Sequence, residues 1–180
     1  FGFQYLDTFV SNVIHTLSRE SEELSSHDLD LLLSYDPSRT ISKIQSPLPS
    51  LEDPITLGGK GYNLTRLAAL GMPVPKGFII TTEAFRCFNA IEAFEKANED
   101  LQEKIFLQIR EFERHEHRRF GDPDNPLLLS VRSGSAVSMP GMMNTFLNVG
   151  LNEEIVEGLI KKTNNPWFAW DNYRRFLQSW

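Results

Sequence analysis

Leu57-Gly58-Gly59-Lys60-Gly61-Tyr62-Asn63-Leu64 sets three glycines around one lysine, just ahead of the helical spacing Leu64, Leu67, Ala68. Glycines let a backbone turn tightly and bring its N–H groups close to a ligand. A helix N-terminus adds partial positive charge and Lys60 adds a full one, a combination suited to a polyphosphate. The stretch departs from G-x-x-x-x-G-K-[ST], since residue 61 is Gly where that loop carries its magnesium-binding hydroxyl. A glycine-rich turn with a solvated lysine is the plain alternative.

Outward from this loop the chain alternates between helical and extended patterns. The spacing predicts a helix over residues 60–70, stopped by Gly71 and Pro73, then a strand at 78–81. Thr82 is placed to cap a helix bearing Phe85, Phe88 and Ile91, and residues 100–120 put Leu101, Ile105, Ile109 and Phe112 on one helical face. Residues 127–132 read as a short, apolar, buried strand and 145–149 as another, with helices near 153–162 and 167–180. No internal repeat is visible. Helices and strands mixed in this order predict an α/β (α+β) body.

Charge divides the chain near Pro54. Residues 1–55 carry nine acidic and three basic side chains, whereas 56–180 carry fifteen of each, so the net charge of −6 sits in the leader. The expected organisation is an acidic helical leader with a Pro/Ser-rich connector over 1–54, followed by a body over 55–180. In the leader Phe3, Leu6, Phe9, Val10, Val13, Ile14 and Leu17 recur at three and four, an amphipathic helix with a stripe for packing on the body, on another domain or on a second copy. Ser26 can cap a second short helix through Leu33, and the connector with Pro37, Pro47, Pro49 and Pro54 reads as extended.

The acidic balance argues against bulk nucleic-acid binding, which needs excess Lys and Arg. No apolar run approaches the ~18 residues of a membrane-spanning helix. The single cysteine, Cys87, excludes an intramolecular disulfide or multi-Cys zinc site and suits a reducing compartment, so a cytoplasmic location is expected. Lying near Phe85 and Phe88, it reads as core rather than nucleophile. His115 and His117, two apart on an expected helix, point to different sides, and no metal site is expected. The start at Phe1, without Met or a basic-then-apolar leader, suggests a piece of something longer.

A second loop runs from Ser130 through Arg132-Ser133-Gly134 and Ser138-Met139-Pro140-Gly141 to Thr145, with Arg132 its one charge. An arginine leaving an apolar strand needs an anion to offset desolvation, and its forked donors fit phosphate oxygens. Ser133, Ser135 and Ser138 supply hydroxyls, and Gly134 and Gly141 allow close backbone approach. An internal ion pair with an acidic side chain is the alternative.

Taken in order, four blocks and the tail resemble the ATP-binding domain of the pyruvate, phosphate dikinase family: Gly58-Gly59-Lys60-Gly61-x-Asn63-Leu64; Gly71-Met72-Pro73-Val74-Pro75-x-Gly77-Phe78; Ser130-Val131-Arg132-Ser133-Gly134; Ser138-Met139-Pro140-Gly141-Met142-Met143; and Asn165-Pro166-x-Phe168-Ala169-Trp170-Asp171-x-Tyr173-Arg174-Arg175-Phe176. The resemblance covers residues 55–180. It implies the N-terminal half of an ATP-grasp-like domain that holds ATP with magnesium and passes a phosphoryl group to a histidine on a swivelling domain, which serves a third domain making phosphoenolpyruvate. Lys60 and Arg132 correspond to phosphate-binding residues, with Gly58, Gly59, Gly61, Ser133, Gly134, Ser138 and Gly141 in the loops around them. The magnesium ligands, the adenine-binding half and the phosphorylated histidine are implied beyond Trp180, leaving the isolated chain inactive. Ser135 and Ala136 replace the family's usual Ala and Arg, Asn144 replaces a common acidic residue, and the leader has no usual counterpart. These departures keep open a nucleotide-sensing or interaction module without catalysis, and the leader helix keeps open a homo-oligomer.

Overall fold

The computed structural model describes residues 2–22, 25–26, 30, 33–134 and 145–179. The second leader helix expected to residue 33 falls largely outside them, as do Ser135, Ala136, Ser138, Gly141, Asn144 and the three neighbouring methionines. The described residues form helices and two small antiparallel sheets, an α+β arrangement.

Helix α1, Gly2–Glu22, takes the leader's amphipathic pattern. Its stripe is uncovered: Leu6, Phe9, Val10, Val13 and Ile14 are all exposed, Phe9 to 65%. The region expected to be an extended connector is instead part of the body. Asp36 caps the short 3-10 turn Pro37–Arg39 through Ser38, and strand β1, Ile41–Lys43, follows. β1 pairs antiparallel with β2, Phe78–Ile80, in the register Ile41↔Ile80, Ser42↔Ile79, Lys43↔Phe78. Thr40, Ser42, Ile44 and Leu51 are buried. The prolines punctuate short elements here rather than keeping the chain extended.

Helix α2, Pro54–Ala69, starts six residues ahead of the expected position. Asp53 caps it, its Oδ1 accepting from Ile55 N and Thr56 N at 2.8 and 2.9 Å, and Pro54 takes the first turn, where no N–H is needed. The far end stops as expected: Gly71, at φ 73°, donates to Ala68 O, and Met72 donates to Leu67 O.

Helices α3, Thr82–Arg86, and α4, Phe88–Ala93, lead into α5, Glu95–Glu116, which begins and ends about four residues earlier than the spacing predicted. Thr81 rather than Thr82 precedes α3. Its hydroxyl does not cap the helix but donates to Arg39 O at 2.6 Å, a further tie to the β1 region. Cys87 is fully buried with Ile91 and Ala97, against Tyr35, Phe94 and Leu101, and burial pushes its thiol pKa up. The expected apolar face of α5 meets β2 through Phe112 and Phe78, with ring centroids 5.7 Å apart.

Strands β3, Leu129–Arg132, and β4, Thr145–Val149, form the second sheet. Against expectation β3 is not buried: Val131 is 50% exposed, and the buried apolar residue is Leu127, ahead of the strand. A two-stranded sheet offers one face to its covering helix and leaves the other to solvent. Helices α6, Glu153–Thr163, and α7, Pro166–Ser179, complete the chain, with Leu151, Ile155, Val156 and Ala169 as their shared core. Asn148 Nδ2 donates to Asn172 Oδ1 at 3.1 Å, tying β4 to α7.

Candidate phosphate-binding site

Gly58 is the conformational centre of the glycine stretch. It sits at φ 69°, ψ 156° inside α2, a break in the helix that a side chain would oppose. Asp53, Pro54, Thr56 and Leu57 build one turn before the break, and the helix resumes beyond it. Thr56, Leu57, Gly58 and Gly61 are buried, Gly59 is partly so, and Lys60 is exposed. The turn thus lays its glycines on the body and holds its one cation outward.

Asp53 is a supporting residue that the motif reading missed. The Thr56 hydroxyl, together with the amides of Thr56 and Ile55, holds its carboxyl below the usual carboxylate range. The signal was present in sequence as Asp-Pro, a capping residue followed by a residue favoured at the first helical position.

The two loops come together. Lys60 Nζ donates to Ser133 O at 3.3 Å, across 73 residues of sequence. Ser133 follows Arg132, the last residue of β3, which pairs with Thr145. Lys60 therefore reaches the segment Arg132-Ser133-Gly134 through the Ser133 carbonyl. Ser138 and Gly141 lie outside the described residues. Against expectation Arg132 is not desolvated at the end of a buried strand: it is exposed, and the strand is open to solvent. Nor, among the described residues, does any carboxylate form a salt bridge with it. Two exposed cations from separate loops suit a multiply charged anion.

Other candidate chemistry lies elsewhere. His115 contacts Lys76 Nζ through Nε2, and His117 ends α5 in a left-handed conformation, so the two rings serve different surroundings. Among the described residues no three His, Cys, Asp or Glu side chains gather as a metal site. Shallow depressions along α5 are lined by residues such as Phe106 and Leu107, or Arg114 and His115, and include neither Lys60 nor Arg132. No helix among the described residues is long and apolar enough to cross a membrane.

Comparison with known proteins identifies relatives of the chain. Residues 55–104 match the family described as "Pyruvate phosphate dikinase, AMP/ATP-binding domain". The chain is 52% identical over 122 residues to a pyruvate, phosphate dikinase of Clostridium symbiosum, covering 68% of this chain and 14% of that protein. It is 50% identical over 121 residues to that of Entamoeba histolytica, covering 67% and 13%. The dikinase of Rhizobium meliloti is 48% identical over 129 residues, covering 72% and 14%. The chain thus spans about one-seventh of the length of these curated relatives. At this identity, with the motifs in order, the chain belongs to the pyruvate, phosphate dikinase family.

Proposed function

We propose that this chain is the triphosphate-holding part of an ATP-dependent phosphotransferase, the N-terminal half of an ATP-grasp-like domain. The observation that carries the proposal is the approach of Lys60 to Ser133, which unites the two loops independently singled out for phosphate chemistry. In this proposal Lys60 and Arg132 neutralise and align the phosphates. Gly58, Gly59 and Gly61 shape the first loop, while Ser133, Gly134, Ser138 and Gly141 belong to the second. Phosphoryl transfer asks a protein for charge stabilisation and alignment more than for covalent chemistry, and an exposed Lys and Arg are the tools it uses.

The acceptor in this proposal is a histidine on another domain of a longer protein, and the magnesium ion is held by residues outside these 180. Calorimetry with Mg-ATP tests the proposal, run on this chain and on the full-length protein. Binding by the full-length protein that Arg132→Ala abolishes is the expected result. Absence of nucleotide binding by the full-length protein would leave the fold without its chemistry and favour an interaction module.

A further inference from the structure

We propose that Gly61, the third glycine of the motif, is a packing residue for Ile79 rather than a ligand-approach residue, and that Ile79 is a positioning residue for Lys60. The inference rests on the phosphate role proposed above for Lys60. A Cβ at position 61 would lie 2.9 Å from Ile79 Cδ1, 3.4 Å from Cγ1 and 3.5 Å from Cγ2, so its three nearest neighbours all belong to one side chain. Gly61 is buried while Lys60, one residue earlier, is exposed. A single turn of α2 therefore rests its backbone on β2 and extends its cation to Ser133.

Ile79 is itself fixed from behind. It pairs with Ser42 of β1, a small buried residue whose hydroxyl has no hydrogen-bond partner among the described residues. Ile44 N donates to Gly77 O and Thr81 N donates to Thr40 O on either side of the pairing, which clamps β2 in register. The Lys60–Ser133 contact of 3.3 Å is near the long end of hydrogen-bond range, so a shift of α2 by a few tenths of an ångström is enough to lose it.

This geometry makes a size exchange informative. The backbone at Gly61 is helical, so Ala is conformationally acceptable there and obstructed only by Ile79 Cδ1. Ile79→Val deletes that atom and leaves contacts of 3.4 and 3.5 Å, ordinary van der Waals distances. The test is a double-mutant cycle with two readouts: the side-chain NMR signal of Lys60 in this chain, and the Mg-ATP dissociation constant of the full-length protein.

Gly61→Ala alone should shift the Lys60 signal and weaken Mg-ATP binding about tenfold, and Gly61→Ala with Ile79→Val should return both to within about threefold of the starting values. Recovery of stability in the double variant without recovery of the signal or the affinity overturns the proposal, because the glycine would then serve the ligand directly. Should Gly61→Ala not fold, Ile79→Val alone still reports, and an unmoved Lys60 signal overturns the proposal. If the unaltered full-length protein binds no Mg-ATP, the functional reading fails by itself. The Lys60 signal then decides the positioning role: its recovery in the double variant upholds that role, and its failure to recover overturns it.

Discussion

A Cβ on Gly158 would lie 1.8 Å from the carbonyl oxygen of Pro123, so α6 crosses that backbone only because residue 158 has no side chain. The obstacle is main chain, which cannot swing aside as a flexible side chain can. Gly158→Ala should therefore destabilise the chain by about 1–3 kcal/mol, the scale of overpacking in a close-packed interior. Urea unfolding measures it. Gly134→Ala is the control, because a Cβ there meets nothing within 4 Å. Equal stability for the two variants would contradict the packing described for α6.

Removing the two cations should act on chemistry and not on the fold, since Lys60 and Arg132 are both exposed. In the full-length protein, Lys60→Ala or Arg132→Ala should each cost about 2–4 kcal/mol of transition-state stabilisation, the scale of losing one charge-stabilising donor. Steady-state turnover checks this alongside thermal unfolding. A loss below about tenfold for both variants would count against their roles.

Acid should loosen the body through Glu83. Its carboxylate accepts from the Arg86 guanidinium at 2.8 Å and from Asp36 N at 3.2 Å, and these partners, Arg86 first, hold it below its ordinary value of 4.5. Asp53 is lowered in the same sense. A folded-state pKa below the unfolded one contributes stability that is complete above the unfolded value and lost as pH falls through the folded value. The melting temperature should fall as pH drops below about 4.5, and Glu83→Gln should make that fall shallower. An identical acid profile for the variant would remove Glu83 from the explanation.

Truncation separates the two halves of the leader. Deleting residues 1–22 removes α1, whose described stripe is exposed, and should change the melting temperature little. Deleting residues 1–51 also removes β1 and buried Leu51, and should abolish cooperative unfolding. Light scattering on the shorter deletion asks whether α1 drives self-association, and an unchanged molecular mass would answer that it does not.

What sequence revealed and what it concealed follow from range. The stop at Gly71 and the strand at 145–149 were legible because local composition decides them. The start of α2 was concealed by Gly58-Gly59, which reads as a break although the helix resumes across it. β1 was concealed because three residues are too few for a period to show, and its partner lies beyond all of α2. The openness of β3 depends on which sheet face α7 covers, a tertiary fact that no run of apolar residues states. Lys60 and Arg132 could each be singled out from their surroundings, but their loops meet only through the fold.

The pairing of Ile41 with Ile80 also sets an order of assembly. It closes a loop that contains the whole of α2, so the platform under Gly61 exists only after two distant strands have met. Closing such a loop carries an entropic cost before any contact repays it, which ties the formation of this region to a non-local step. On a ribosome, the lysine-bearing turn would gain its support only once residue 80 had emerged. A substitution in β1 is then expected to delay the moment at which the turn bearing Lys60 gains its support.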